Sequence, residues 1–223
     1  MEWNIQALRD HIHDRMNGDR EGIGLITSMD GCTMVLRYHL LTAENAQNLI
    51  EADDVTGLRV PLRGMFGTTD QRNEYELAKL VCQANIVAAI YTARSLCDVL
   101  AQLINKLLLP DKLEAAKCDI HKVSQKLCNS VLKESLTSLL DSECFLYVSA
   151  FANVSKHRNM VVFYGSINCQ ARRAGAKFGS FTYNKREYPE RWSRDVLKLV
   201  LEVESKIIDV GGVLNSSCLH AAT

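Results

Sequence analysis

The chain has 223 residues with 26 basic and 26 acidic side chains, so its formal net charge is zero. Apolar residues make up 47% and charged residues 23%, a composition typical of a globular protein rather than a disordered one. Because the charges balance, a charged partner has to be recognised by a local cluster and not by overall charge. The length allows one large domain, or a helical bundle with a smaller appendage.

The sequence shows no sign of export or membrane insertion. The stretch MEWNIQALRDHIHDR lacks the apolar region of a secretory signal. The longest apolar region, 84–109, is interrupted by polar and charged residues (Arg94, Asp98, Gln102, Asn105, Lys106). Eight scattered cysteines have no Cys-x-x-Cys spacing. We therefore expect a soluble cytoplasmic protein with reduced thiols and no membrane contact.

Residues 1–70 predict a small α+β part. An amphipathic helix is expected to end at Asn17-Gly18. The run LITSM-DG-CTMVLRY has β-prone residues on both sides of Asp30-Gly31, a pair that accepts the positive φ angles of a tight turn, and so predicts a β-hairpin. Thr42 is the expected N-cap of the next helix. Glycines and Pro61 within 53–69 predict a loop.

Residues 71–223 predict a helical bundle. Residues 71–109 keep an apolar stripe without Gly or Pro, and Pro110 is expected to end that helix. Further helices are predicted over 111–140, over 142–160 and from about Glu190 to Val210, before Gly211-Gly212. The predicted fold is mainly α, an antiparallel bundle of four or more long helices. The β-branched and glycine-rich run VVFYGSINCQARRAGAKFGSFTYN predicts a β-hairpin inserted at about 160–188, before the last helix.

Two polar residues of the segment SAFANVSKHRNM are candidates for catalysis. Asn153 and His157 are one helical turn apart and are expected to continue an inward-facing strip. A histidine ordinarily titrates near neutrality and can act as a general acid or base, while Lys156 and Arg158 can hold a phosphate. The alternative is that His157 only caps the end of its helix.

Arg94 and Asp98 form a second candidate pair, spaced i,i+4 on the long helix. In one interpretation they are an exposed helical ion pair worth a few tenths of a kcal/mol. In the other, they meet Asn153 and His157 across two antiparallel helices and complete a polar network.

The segment 156–194 carries nine basic residues against only Glu187 and Glu190. Five of them are predicted to bind nucleic acid: Lys156, Arg158, Arg172, Arg173 and Lys177. Seven aromatic residues interleave with these charges, and aromatic faces can stack on unpaired bases while cations neutralise phosphates. In the alternative, the aromatic rings pack the hairpin onto the helices and the charges are simply solvated.

No cofactor and no metal site are predicted. His11-x-His13 and Cys118-x-x-His121 have ligand-like spacing but lack a second pair in sequence. The glycine-rich phosphate loop, the dinucleotide fingerprint and the serine-hydrolase motif are all missing from the sequence.

A helical bundle whose third long helix ends in a polar constellation resembles the HEPN superfamily (higher-eukaryote and prokaryote nucleotide-binding domains) over residues 71–214. The family motif is an Arg followed four to six residues later by His, often with a polar residue just after the Arg. Here His157 matches the His and Asn153 the polar residue, while Ala150, Phe151 and Ala152 stand where the Arg is expected.

The resemblance implies contact with RNA or a nucleotide, as in the metal-independent ribonucleases of prokaryotic defence or stress systems. In that chemistry His157 is the acid or base, Asn153 orients it, and Arg94 or Arg158 stabilises phosphate charge. The alternative class is a non-enzymatic subunit, immunity- or antitoxin-like, that binds a protein partner or forms a homodimer.

Overall fold

The computed structural model describes residues 3–50, 64, 66–109, 111–171 and 173–219, and it is mainly helical with small antiparallel sheets. One 3-10 turn covers Ala115–Lys117. The α-helices are α1 (Ile5–Arg15), α2 (Arg20–Gln47), α3 (Thr69–Leu108), α4 (Ile120–Lys126), α5 (Val131–Leu140), α6 (Glu143–His157) and α7 (Ser193–Leu219). The strands are β1 (Phe163–Asn168), β2 (Arg173–Phe178), β3 (Phe181–Tyr183), β4 (Arg186–Tyr188) and β5 (Arg191–Trp192).

The inserted hairpin and the long helix are confirmed. Strands β1 and β2 pair antiparallel from Phe163 opposite Phe178 to Asn168 opposite Arg173, and β5 pairs with the other edge of β2. A second hairpin, β3–β4, was not separately predicted. The predicted helix over 71–109 is α3. Pro110 lies outside the described residues, as does most of the predicted loop over 53–69.

The described chain divides into two compact units. Unit 1 comprises the described residues within 1–34, 92–146 and 201–223, and unit 2 comprises those within 35–91 and 147–200. Both boundaries of unit 2 on α2 and α3 fall inside helices, so these helices contribute to both units. The predicted boundary at residue 70 stays a prediction.

Helix α3 has a length and composition that would also suit a membrane span, although half of its most apolar window is buried within the protein. A core helix of a soluble protein has the same properties.

The predicted hairpin at Asp30-Gly31 is wrong, because both residues lie inside α2. Apolar side chains along α2 are buried at helical rather than alternating spacing: Ile26, Met29, Leu36, Leu40 and Ala43. Thr42 is likewise no N-cap. Its hydroxyl donates to the carbonyl of Tyr38, 2.8 Å away, within the same helix. Burial along one face of a long helix outweighs a local turn preference.

The predicted helix over 111–140 is broken into a 3-10 turn and two short helices. Asp119 and Ser130 each accept a hydrogen bond from a backbone N–H three residues on, as N-caps of α4 and α5. Leu127 ends α4 with an extended backbone. Local capping therefore divides a continuous apolar pattern.

The glycine pair Gly211-Gly212 was expected to end the last helix, but α7 continues through it to Leu219. A β-carbon at Gly211 would lie 2.0 Å from Cδ2 of Trp3. Gly211 therefore serves the close approach of an indole ring and does not terminate the helix.

Candidate nucleic-acid interface

Asn153 and His157 both lie on α6, in unit 2, but in different surroundings. Asn153 is half-buried, and its Nδ2 donates to the carbonyl of Ser149 at 2.8 Å. His157, the last residue of α6, is exposed. The expectation that both continue an inward-facing strip is therefore wrong for His157. The neighbouring residues Lys156 and Arg158 are exposed as well, so the chain leaves the packed part only at the very end of α6.

Arg94 and Asp98 lie on α3 in unit 1. Their side chains form an ion pair of 2.6 Å between Nη1 and Oδ1, and the Arg94 guanidinium also lies 5.9 Å from the ring centre of Phe145. Asp98 and Phe145, which make these two contacts, both belong to unit 1. They orient the guanidinium without any contribution from Asn153 or His157. These contacts account for the position of the Arg94 side chain without a functional role.

Cys97, next to this pair, is fully buried. Burial raises the pKa of its thiol to about 12, with the positive charge of Arg94 acting in the opposite direction. The thiol therefore remains protonated at neutral pH and is no nucleophile. All eight cysteines are free thiols.

An exposed group of basic side chains lies at the end of α6 and at the β3–β4 turn. The Arg158 guanidinium donates to the carbonyl of Thr182 on β3 at 3.4 Å, which joins the two segments. We call this group the cationic cluster: Lys156, His157, Arg158, Lys185 and Arg186. Within the described ranges no carboxylate pairs with any member of it.

The β3–β4 turn has an unusual backbone. Asn184 and Lys185 have φ angles of 47° and 65°, the left-handed conformation that a two-residue hairpin turn requires. Lysine is not a preferred residue there, because its β-carbon crowds the backbone in this conformation. The Lys185 side chain is therefore presented at the tip of the hairpin at some local cost.

Two of the other predicted nucleic-acid residues are already engaged. Arg173 pairs with Asp195 at 3.2 Å, and Lys177 pairs with Glu190. Both cations lie over the ring of Trp192, at 4.6 and 4.7 Å from its centre. Because carboxylates within unit 2 already pair with both cations, their positive charges would attract a phosphate group less strongly. Arg172 lies outside the described residues.

The electrostatics around Glu190 support the same conclusion. A hydrogen bond from Lys177, and next one from the hydroxyl of Tyr164, lower the pKa of the Glu190 carboxyl. The bond to Glu190 in turn raises the pKa of Tyr164. Glu190 is thus a carboxylate that holds both groups at neutral pH.

Most of the aromatic residues pack against one another, as the structural alternative expected. The Phe151 ring contacts Phe178 and Phe181 with ring centres 5.2 and 5.8 Å apart, and Phe181 stacks on Tyr188 at 4.9 Å. Tyr147 joins the same cluster. These rings anchor the β-segment on α6, so their faces are closed to a nucleic-acid base.

The cationic cluster supplies charges that can contact phosphate groups, and none of its five members is Phe, Tyr or Trp. Lys185 and Arg186 were counted in the basic segment but not singled out as site residues. The dipeptide Asn184-Lys185 between two aromatic runs was the signal that could have identified the turn. Comparisons of this chain with protein-family models, with curated proteins and with solved structures found no match.

Proposed function

We propose that this chain binds RNA through the phosphate groups of its backbone at the cationic cluster. One observation carries the proposal: five exposed basic side chains, brought together by the Arg158–Thr182 contact, lack carboxylate partners in the described residues. Exposed cations gain affinity for a polyanion by releasing its counterions. The closed aromatic cluster supports binding that depends little on base sequence. The choice of RNA rests on the resemblance to the HEPN superfamily.

The test is salt-dependent binding of an unstructured RNA, followed by fluorescence anisotropy. Replacing Lys185 and Arg186 together with Ala should weaken binding similarly for unrelated RNA sequences. It should also flatten the plot of log affinity against log salt by about 0.7 per lost phosphate contact.

The matched control replaces Arg72 and Lys198 with Ala, since both are exposed, belong to unit 2 and lack a carboxylate partner among the described residues. This control should keep the wild-type affinity and slope. Equal losses in both double variants would mean that binding follows overall charge, and the proposed surface would be wrong.

Metal-independent cleavage is a second candidate, favoured by the exposed imidazole of His157 between Lys156 and Arg158. His157 would take the proton of a ribose 2′-hydroxyl as it attacks the adjacent phosphorus, and the 5′-oxygen would leave with a proton from water. Lys156 and Arg158 would stabilise the phosphate charge. Asn153 would orient the imidazole, one turn away on α6.

His157→Ala tests cleavage separately from folding. Because the side chain is exposed, its loss should change the free energy of unfolding by less than about 1 kcal/mol. RNA degradation in the presence of a chelator should disappear. If the wild type degrades no RNA, or the variant degrades it as fast, the cleavage proposal is wrong while the binding proposal stands.

A non-enzymatic interaction subunit is favoured by a different feature. Helix α2 exposes an apolar stripe at i, i+4 and i+7 spacing, with Met34, Tyr38 and Leu41 exposed by 74%, 64% and 59%. We propose that a second copy of the chain covers it. Light scattering should then show a dimer that Tyr38→Glu dissociates. A monomer in the wild type would exclude this arrangement.

We also retain an antiparallel bundle of the long helices as a proposal. Within unit 2, His39 on α2 lies 2.8 Å from Asn85 on α3, while Ala46 and Ala78 line one cavity. The sequence number falls along one helix as it rises along the other, which supports an antiparallel pair. A cytoplasmic location is proposed on the free state of the eight cysteines.

A further inference from the structure

The β3–β4 hairpin carries one aromatic side chain that does not belong to the closed aromatic cluster. Side chains alternate along a strand, so Tyr183 lies on the same face as Phe181, two residues nearer the turn. Phe181 is buried and stacks on Tyr188, whereas Tyr183 is only half-buried. This face of the hairpin is therefore closed where it packs on α6 and partly open at the turn.

The ring of Tyr183 has no specific contact within the described part of the chain. There, no aromatic ring stacks on it, no cation lies over it, and its hydroxyl makes no hydrogen bond. The hydroxyl is not buried either, so solvent reaches this end of the ring. By contrast, Tyr164 in the same β-segment donates its hydroxyl to Glu190. The Tyr183 ring is thus available to a partner outside the chain.

Two members of the cationic cluster lie beside this ring. Arg186 is directly opposite Tyr183 across the hairpin, and opposed residues have their β-carbons about 5 Å apart. The Arg186 guanidinium lies 5.0 Å from the ring centre of Tyr188, which helps to fix its position, yet the residue stays exposed. Arg158 donates to the carbonyl of Thr182, the residue before Tyr183. All these residues belong to unit 2.

A cation next to a partly open aromatic ring matches the chemistry of an unpaired nucleotide. Such a nucleotide presents a negative phosphate and an aromatic base, joined by a single ribose. Every base has a flat face that can stack on an aromatic side chain, so stacking tolerates any sequence. Inside a duplex, neighbouring base pairs cover these faces, and a ring at the protein surface cannot reach them.

Given the RNA binding proposed for the cationic cluster, on which this inference rests, we propose that Tyr183 stacks on an unpaired base of the bound RNA. Arg186 and Arg158 contact the adjoining phosphates. Single-stranded RNA is therefore the ligand class of this surface. Stacking releases no counterions, so its contribution to the affinity does not depend on salt, unlike that of the cations.

Tyr183→Leu removes the aromatic ring and keeps an apolar side chain at the turn. Binding of a short oligouridylate, followed by fluorescence anisotropy, should weaken at least about fivefold, the usual effect of losing one stacked base. The slope of log affinity against log salt should stay as in the wild type. Tyr183→Phe, which keeps the ring, should stay within about twofold of the wild-type affinity. Unchanged oligouridylate affinity in Tyr183→Leu would overturn the proposal.

Two probes without accessible base faces separate stacking from a displaced hairpin. Inorganic polyphosphate carries phosphate charges and no bases, and a fully paired RNA duplex covers its bases. Tyr183→Leu should bind both as tightly as the wild type does. If it loses affinity for polyphosphate and for oligouridylate equally, the substitution has moved the cations, and the stacking assignment is wrong.

The matched control is Tyr91→Leu. Tyr91 is also a half-buried tyrosine of unit 2, but it lies on α3 and outside the cationic cluster. Its replacement should leave oligouridylate binding unchanged. Equal losses in Tyr91→Leu and Tyr183→Leu would show a general effect of removing a tyrosine, and the assignment to Tyr183 would be wrong.

A spectroscopic test uses Tyr183→Trp, because stacking on a base quenches indole fluorescence. Oligouridylate should quench this variant more than the wild type, whose emission comes from Trp3 and Trp192. Polyphosphate should quench both proteins equally. Equal quenching by oligouridylate would contradict stacking at this position.

The same titrations distinguish failure of this inference from failure of the proposed function. If the wild type binds neither oligouridylate nor polyphosphate at low salt, the cationic cluster binds no phosphate polymer, and both proposals are wrong. If the wild type binds both with the expected salt dependence, and Tyr183→Leu alters neither affinity, only the stacking of Tyr183 is wrong.

Discussion

The indole of Trp3 occupies the space in which residue 211 would carry a side chain. An ideal β-carbon on Gly211 would lie 2.0 Å from Cδ2 and 2.4 Å from Cε2 of that ring. The neighbouring Asn215 on α7 donates its side-chain N–H to the carbonyl of Asn4, 2.6 Å away. The residues before α1 are therefore attached to α7 by a ring contact and a hydrogen bond.

Replacing Gly211 with Ala should destabilise the protein, although alanine is the better helix former. We expect the free energy of unfolding to fall by roughly 1–3 kcal/mol, because the methyl group must displace the indole. Denaturant unfolding measures the change. In a Trp3→Ala background the same substitution should cost much less, since the two residues are in contact. Additive losses would contradict the contact.

Gly31→Ala should have the opposite effect. The residue lies inside α2, and a β-carbon there would meet no atom within 4 Å. Alanine is favoured over glycine in a helix interior by about 1 kcal/mol, so stability should rise by up to that amount. If Gly31 formed a turn with positive φ, alanine would instead destabilise the protein. Unfolding curves of this one variant therefore distinguish the helix from the predicted hairpin.

Asn105 should matter for stability and not for ligand binding. Its Nδ2 donates to the carbonyl of Leu113 at 3.0 Å, and its Oδ1 accepts from the N–H of Leu113 at 2.8 Å. Asn105→Ala leaves both backbone groups without this partner, and we expect a loss of about 1–3 kcal/mol. Gln102→Ala, one turn earlier on α3, should change the free energy of unfolding by less than about 0.5 kcal/mol.

Lys106 should make stability depend on pH in the acid range. It pairs with Asp19 at 3.0 Å and with Glu21 at 2.5 Å. The hydrogen bond from Lys106 lowers the pKa of Asp19 below its ordinary value of 3.8. A lowered folded-state pKa contributes stability above 3.8, and that contribution is lost as the pH falls through the folded-state pKa.

The variant Lys106→Met should therefore be less stable than the wild type near neutral pH, with a smaller difference at about pH 2.5. Urea unfolding at the two pH values measures this. Lys112→Met, which removes an exposed lysine, should show no such dependence. A difference that stays constant with pH would mean that Lys106 acts through packing of its aliphatic stem.

Helix α3 and the β1–β2 hairpin could be predicted from the sequence because each is encoded locally. An unbroken apolar stripe without Gly or Pro predicts a helix wherever neighbours cover it. A β-branched and aromatic run with glycines predicts paired strands. Asp30-Gly31 misled the same reasoning, because a turn preference is worth little against the burial of Met29 and Leu36 along one helix.

The candidate site was only partly predictable, since it depends on which charges are paired in space. The basic character of 156–194 is a property of the sequence by itself. The tertiary structure assigns Arg173 to Asp195 and Lys177 to Glu190, and leaves Lys185 and Arg186 exposed. Nothing local in the sequence distinguishes these cations, because their partners or their exposure follow from strand pairing and helix packing.

By itself, then, the sequence determined the long helix α3, the position of the β-segment and the presence of a basic region, since each follows from residue type and periodicity. Only the tertiary structure decided that Gly211 makes room for Trp3 and that His157 is exposed. The physical reason is the same in each case. These properties depend on contacts between residues distant in the chain, and spacing along one element does not specify them.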